Sequence, residues 1–301
     1  MVKPKKYNGV VVPMATPFTQ NGSIDIPAAE KIIEFLVNNK CSPFVLGTTG
    51  EAASVPDDQR AEFVEATVKQ TAKRVKTYAG IASNCISNSI ELAKKYFDLG
   101  IDAAVAHLPS YYPLTDSHML KYYENLAEKV PGPLMVYNIT ITTHMSIPLD
   151  VIDKLSKHPN IVGLKDSEKN VERMHQSLAL WKDRQDFVHL VGCAALSAEA
   201  LLAGSDGIVP STANFVPKMF YDLYKAGIKG DAENANRLQK ETDELAKIYQ
   251  KDRILSQSLA AMKAIMSEMG LCTDMVLPPL CRVSDAEKAQ IREQLKKAGI
   301  V

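Results

Sequence analysis

Residues 161–167 read Ile-Val-Gly-Leu-Lys-Asp-Ser, a short apolar run that stops abruptly at a lysine. A run of this length between polar turns fits a strand buried on both faces. Alternation places Ile161, Gly163 and Lys165 on one face, with Val162 and Leu164 on the other. An ammonium ion is costly to hold at the tip of a buried strand. Burial favours the neutral amine, which is a nucleophile toward carbonyl carbon. A strand-end lysine can equally snorkel into water, so its neighbours must decide.

Working outward, the same pattern recurs along the chain. Apolar strands are expected at Gly9–Met14, Phe44–Leu46, Lys76–Ala82, Asp102–Leu108, Leu134–Asn138, Ile161–Lys165, Phe187–Val191 and Gly207–Val209. Between them lie stretches with helical spacing, such as Ile32, Ile33, Leu36 and Val37, with Asp25 placed as an N-cap and Gly100 as a stop. Strand-then-helix alternation without hairpin turns is the mark of a parallel sheet covered by helices. Eight such units fit a closed (β/α)₈ barrel, and no Gly-x-Gly-x-x-Gly follows the first strand to favour a dinucleotide fold. After Gly230 only helices follow, the last opening on Ser284 and Glu287 in capping-box spacing. The expected organisation is therefore a catalytic barrel over 1–227 and a helical appendage over 228–301 that covers the barrel or builds an oligomer interface.

Composition narrows the function. With 35 basic and 35 acidic residues among 301, and no long run of either sign, the chain has no footprint for nucleic acid or an anionic membrane. It opens on a charged segment and contains no stretch long and apolar enough to span a bilayer. Five cysteines, at 41, 85, 193, 272 and 281, form no close pair and read as buried thiols in a reducing compartment, the cytoplasm. The six histidines show no metal-ligand spacing.

In a barrel of this type the chemistry sits at the carboxyl ends of the strands. Strand five ends in Tyr137 and its neighbour in Lys165, which places a phenol roughly 5 to 7 Å from the amine, close enough to relay protons. Gly163 is expected to leave space beneath the lysine. Strand two ends in Gly47-Thr48-Thr49-Gly50, whose hydroxyls and backbone amides suit a carboxylate or phosphate. Each feature alone has a structural reading: Tyr137 as packing, the Gly-Thr-Thr-Gly as an ordinary turn, Tyr111-Tyr112 as a loop contact. Together they converge on one mouth.

These residues resemble the family of dihydrodipicolinate synthase and N-acetylneuraminate lyase, pyruvate-handling class I aldolases. The resemblance rests on Gly-Thr-Thr-Gly-Glu at 47–51, Tyr-Asn at 137–138 and Gly-Leu-Lys-Asp-Ser at 163–167. Thr-Pro-Phe at 16–18, Gly-Ser-Asp-Gly at 204–207 and Ser-Thr-Ala-Asn at 211–214 support it. It implies a Schiff base between Lys165 and a 2-keto acid, proton relay by Tyr137, and carboxylate binding by Thr48 and Thr49, with Thr48 linked to Tyr137. It further implies a Tyr111 lent to a neighbouring subunit's site in a homodimer or homotetramer, the Val209 carbonyl facing the reacting centre, and no metal or organic cofactor.

Two positions depart from the better-known members. Where the synthases carry a carboxylate-reading arginine, this chain has Thr142; a bidentate partner is lost there. After Gly192, which ends strand seven, stands Cys193-Ala194-Ala195 instead of acidic residues that grip sugar hydroxyls. Thr140, Thr142, Thr143 and His144 could instead contact hydroxyls, or be plain loop residues. The expectation is a lyase that cleaves or condenses a 2-keto acid through lysine-bound pyruvate and an aldehyde. Synthase, sialic acid lyase and dehydratase chemistries on the same scaffold stand as alternatives, as does a keto-acid-binding barrel without turnover.

Overall fold

The computed structural model describes residues 5–301; the first four residues of the charged opening segment lie outside that range. Eight parallel strands close into a barrel in chain order: β1 (Gly9–Pro13), β2 (Ser42–Val45), β3 (Tyr78–Gly80), β4 (Ala103–His107), β5 (Leu134–Asn138), β6 (Ile161–Asp166), β7 (Val188–Val191) and β8 (Gly207–Ile208). Closure is made by β8 pairing with β1, Gly207 against Gly9 and Ile208 against Val10. The intervening helices are α1 (Ile26–Asn38), α2 (Asp57–Thr71), α3 (Ile86–Leu99), α4 (Asp116–Lys129), α5 (Thr140–Thr143), α6 (Leu149–Leu155), α7 (Val171–Trp181), α8 (Ser197–Leu202) and α9 (Pro217–Ile228). The fold is the (β/α)₈ barrel that the alternation predicts.

Period-two alternation divides the strand side chains between two cores. Val10, Val12, Ala104, Ala106, Val136, Leu164 and Ile208 face outward into a core shared with the helices. Val11, Phe44, Tyr78, Val105, Met135, Tyr137, Val188 and Leu190 fill the barrel itself. Helix α1 shows how local sequence sets the packing. Asp25 caps it by accepting from the Ala28 amide at 3.0 Å, and Ile32, Ile33 and Leu36 are completely buried on one stripe. Each such side chain contributes about 1.5–3 kcal/mol of burial.

Strand β6 departs from simple alternation. Its pairing with β5 runs Leu134 to Ile161 and then Met135 to Gly163, so Val162 is an extra residue at a bulge. Ile161 therefore joins the outer core with Leu164, not the Lys165 face. Nor does Gly163 leave space: a methyl group there would run into the Val188 side chain and sit 2.7 Å from its carbonyl oxygen. The glycine is present because β7 packs close.

Helices α10 (Ala232–Gln250), α11 (Leu255–Glu268) and α12 (Asp285–Lys297) form the tail. The expected capping box is present: the Glu287 amide donates to Ser284 Oγ, and the Ser284 amide to Glu287 Oε2, each at 3.2 Å. Leu238, Leu245, Ile248 and Tyr249 of α10 join the same outer core as the barrel helices, so the tail has no separate core. None of the five cysteines is paired, but only Cys41 is buried; Cys85 and Cys281 are exposed, which corrects their reading as buried thiols. No helix among the described residues is long and apolar enough to cross a membrane.

Candidate active site

Lys165 stands at the carboxyl end of β6 and is 4 % exposed. Register pairing sets it directly beside Tyr137 on β5, which is in turn paired with His107 on β4. The lysine Nζ lies 3.6 Å from the centroid of the Tyr137 ring and 4.8 Å from that of Phe44. These rings favour the charged form modestly. Burial opposes it more strongly and pushes the Lys165 pKa below the ordinary lysine value, with Tyr137 offsetting part of the effect. No carboxylate contributes to its charge balance. This is the environment that makes an amine more available as a nucleophile than that of an ordinary lysine.

The relative position of Tyr137 and Lys165 is fixed from behind the strands. Asn138 Nδ2 donates to Asp166 Oδ1 at 2.9 Å and to Glu168 Oε2 at 3.0 Å, and Asn138 Oδ1 accepts from the Ile147 amide. Arg173 Nε donates to Asp166 Oδ2 at 2.7 Å, while its Nη2 holds the Ile147 carbonyl. The motifs Tyr-Asn and Lys-Asp are thus two halves of one clamp: the first residue of each faces the barrel, the second binds the other motif outside it. Charge-assisted bonds of this kind are the strong ones. His189, behind β7, is fully buried near Asp166 and held neutral by burial, with its pKa lowered to about 4.

Glycine-rich backbone shapes the β2 end. Leu46 and Glu51, which bracket the Gly-Thr-Thr-Gly turn, both adopt left-handed backbone with φ of 55° and 54°. Strain at non-glycine residues of this kind persists only where the surroundings impose it. Here they do. Gly80 on β3 lets the Leu46 carbonyl approach so closely that no side chain could replace its hydrogen. Glu51 is tied to the tail: its Oε1 pairs with Lys263 Nζ of α11 at 2.6 Å, both side chains 1 % exposed. Its Oε2 accepts from the Leu277 amide at 3.0 Å, and Lys263 also donates to the Met275 carbonyl at 2.7 Å. Thr16 Oγ1 donates to the Gly50 carbonyl, and Asn214 bridges the Pro13 carbonyl and the Ala15 amide across the β8–β1 seam.

A cavity of about 830 Å³ opens above these residues, lined by Phe44, Thr48, His107, Tyr137 and Thr142 and running outward between α2, α3 and α11. Of the residues singled out from sequence, Tyr137, Thr48 and Thr142 line it. Lys165 does not reach its wall; it lies against the two rings that do. Thr49 is half-buried and off the wall, and Thr48 makes no hydrogen bond to Tyr137 among the described residues. Val209 packs inside the barrel, its amide donating to the Val191 carbonyl at 2.8 Å. Gly192 is bound to the Asp166 carbonyl and abuts Ser167. Tyr111 is 75 % exposed, stacks edge-on against Tyr112 and does not line this cavity.

The segment after Tyr137-Asn138, read as loop, is a short helix. Thr143 Oγ1 is spent on the Ile139 and Met145 carbonyls, so its hydroxyl is structural. Thr142 Oγ1 is buried without a partner among the described residues. Sequence reasoning passed over His107, Phe44 and Lys263. Only His107 carried a signal, as a polar residue ending an otherwise apolar strand on the Val105 face.

A barrel with a buried, unpaired lysine beside a tyrosine at its strand ends defines an enzyme of carbonyl chemistry, a lyase acting on a keto acid. The comparisons agree: the chain belongs to the dihydrodipicolinate synthetase family, whose model matches residues 6–298. It is 31% identical over 296 residues to the 4-hydroxy-tetrahydrodipicolinate synthase of Thermodesulfovibrio yellowstonii, covering 98% of this chain and 99% of that one. Among solved structures it is similar to dihydrodipicolinate synthase from Bacteroides thetaiotaomicron, with a TM-score of 0.93 and 30% identity over 98% of this chain and 100% of that one. It is also similar to YagE, a prophage protein of that family from E. coli K12 solved with pyruvate, with a TM-score of 0.92 and 25% identity over 98% and 100% of the two chains.

Proposed function

We propose that this chain is a Schiff-base class I aldolase that cleaves or condenses a 2-keto acid through pyruvate bound to Lys165. The observation that carries this reading is the amine itself: buried, free of carboxylate partners, with a depressed pKa, and seated on Tyr137. Its nitrogen attacks the keto carbon, and the resulting iminium stabilises the carbanion at C3 when the C3–C4 bond breaks. Tyr137 moves protons during imine formation and carbon–carbon bond cleavage. Thr48 and Thr49, with the backbone amides of their turn, hold the carboxylate, and the Val209 carbonyl and Gly192 complete the mouth. Tyr111 serves the site of a neighbouring subunit in a homodimer or homotetramer, in keeping with its exposure here. The five unpaired cysteines suit a cytoplasmic enzyme.

Pyruvate as the keto acid is supported by the similar protein of this family that was solved in complex with it. Thr142 at the place of the synthases' arginine favours an aldolase over 4-hydroxy-tetrahydrodipicolinate synthesis, the activity named for the curated relative above. Incubation with pyruvate and borohydride followed by mass spectrometry should show one reduced pyruvyl group per chain on the peptide containing Lys165. Folded protein with no adduct would sink the mechanism.

A further inference from the structure

No step of the chemistry uses the Thr-Pro-Phe motif at 16–18, the glutamate that closes Gly-Thr-Thr-Gly-Glu, or Lys263, which lies 1 % exposed in the tail. All three meet at the β2 turn. Within the turn the Glu51 amide donates to the Thr48 carbonyl at 3.1 Å and the Ala52 amide to the Gly47 carbonyl at 3.2 Å. The amides of Thr48, Thr49 and Gly50 have no backbone acceptor among the described residues. Successive free amides gather an anion only while their backbone keeps one shape.

That shape is imposed from outside the turn. Glu51 is left-handed, with φ of 54°, and a glutamate stays there only under constraint. Its side chain supplies the constraint through Lys263. The lysine Nζ is fixed three ways: by Glu51 Oε1 at 2.6 Å, by the Met275 carbonyl at 2.7 Å and by the Phe18 ring, 3.9 Å from its centroid. Phe18 belongs to the Thr-Pro-Phe motif, whose Thr16 Oγ1 donates to the Gly50 carbonyl at 2.6 Å. Thr273 Oγ1 of the tail donates to the Phe18 carbonyl, also at 2.6 Å. Motif and tail thus grip adjacent residues, Gly50 and Glu51. Glu51 lines the cavity and Lys263 does not.

We infer that Lys263, on a helix outside the barrel, is a positioning residue for the keto acid: through Glu51 it holds the Thr48–Gly50 turn in the shape that binds the substrate carboxylate. This rests on the carboxylate role given to the turn above. Two charges so deeply buried are stabilised in one arrangement and penalised in others, so the pair selects a single turn conformation. The tail therefore sets the affinity for the carboxylate, while the reactivity of the Lys165 amine toward a carbonyl carbon is set within the barrel.

Borohydride trapping with two ketones separates these roles. Pyruvate carries the carboxylate; hydroxyacetone, of similar size, does not. Wild type should be trapped at lower concentrations of pyruvate than of hydroxyacetone. Lys263→Met should raise the pyruvate concentration for half-maximal adduct by about 10–10²-fold, reach the wild-type plateau at saturation and leave the hydroxyacetone curve within about twofold. The Glu51→Gln/Lys263→Met double variant strands no charge and should behave alike; it serves where the single variant does not fold. Leu295→Ala, which cuts into the core of the tail at α12, should leave both curves within about twofold. An unmoved pyruvate curve in the folded Lys263 variants would overturn the inference. So would equal shifts for the two ketones, or the same pyruvate shift in Leu295→Ala, since either marks a general loosening. Wild type trapped by neither ketone removes the Schiff-base reading itself, and wild type trapped equally well by both removes the carboxylate role of the turn.

Discussion

Lys165 costs the fold what it contributes to chemistry. Its folded pKa is below the 10.5 of an ordinary lysine. Below that lowered value the side chain is charged in both folded and unfolded states, and the native state bears the full cost of burying it. As pH rises from the lowered value toward 10.5, the folded chain releases its proton first and the native state gains stability. Lys165→Met should therefore be more stable than wild type at pH 7, by roughly 1 kcal/mol, with no pyruvate adduct. Urea melts at pH 7 and pH 10 would check it, the advantage of the variant shrinking at the higher pH. A wild type whose stability relative to the variant is flat across this range would contradict a buried, pKa-shifted amine. Lysine at a strand end was visible in the residues 161–167. That it is depressed in pKa was inferable; that Tyr137 and Phe44 close over it was not, because Phe44 comes from β2, far away in sequence.

At the scale of elements, the Gly-Thr-Thr-Gly-Glu turn could be recognised from sequence, but what holds it could not. The partner of Glu51 is Lys263, on a helix of the tail, and nothing in local pattern pairs a turn with a helix so distant. Breaking a buried ion pair by removing one member strands the other charge. Glu51→Gln and Lys263→Met should each lose about 3–5 kcal/mol in denaturant unfolding, and the double variant should lose clearly less than their sum. Additive losses would mean that the pair does not act as a unit. The bulge at Val162 belongs to the same scale. Strict alternation placed Ile161 with Lys165, whereas the ladder inserts one residue and sends Ile161 to the helices. Period-two reasoning cannot detect an insertion that only the neighbouring strand imposes.

The whole molecule is a closed barrel with an exposed aromatic loop after β4. Tyr111 and Tyr112 are 75 % and 70 % exposed, a large aromatic surface for one loop. If Tyr111 completes a neighbour's site, two inactive variants should rescue each other. Lys165→Met and Tyr111→Ala chains, mixed and reassembled, should recover up to about a quarter of wild-type turnover, since half the dimers are mixed and each holds one intact site. Turnover no greater than the sum of the separate variants would assign Tyr111 to its own chain or to packing.

Apolar periodicity and glycine punctuation, read along the chain, were enough to determine eight strand–helix units, their closure class and the two motifs that carry Lys165 and Tyr137. These are short-range properties: each strand's burial and each helix's stripe are written in adjacent residues. Tertiary structure decided the rest. It set the Asn138–Asp166–Arg173 clamp behind the strands, the Glu51–Lys263 anchor and the placing of His107 and Thr142 on one cavity wall. Those arrangements depend on which strands become neighbours when the barrel closes and where the tail folds back, and a side chain acquires its partner, its burial and its pKa only then.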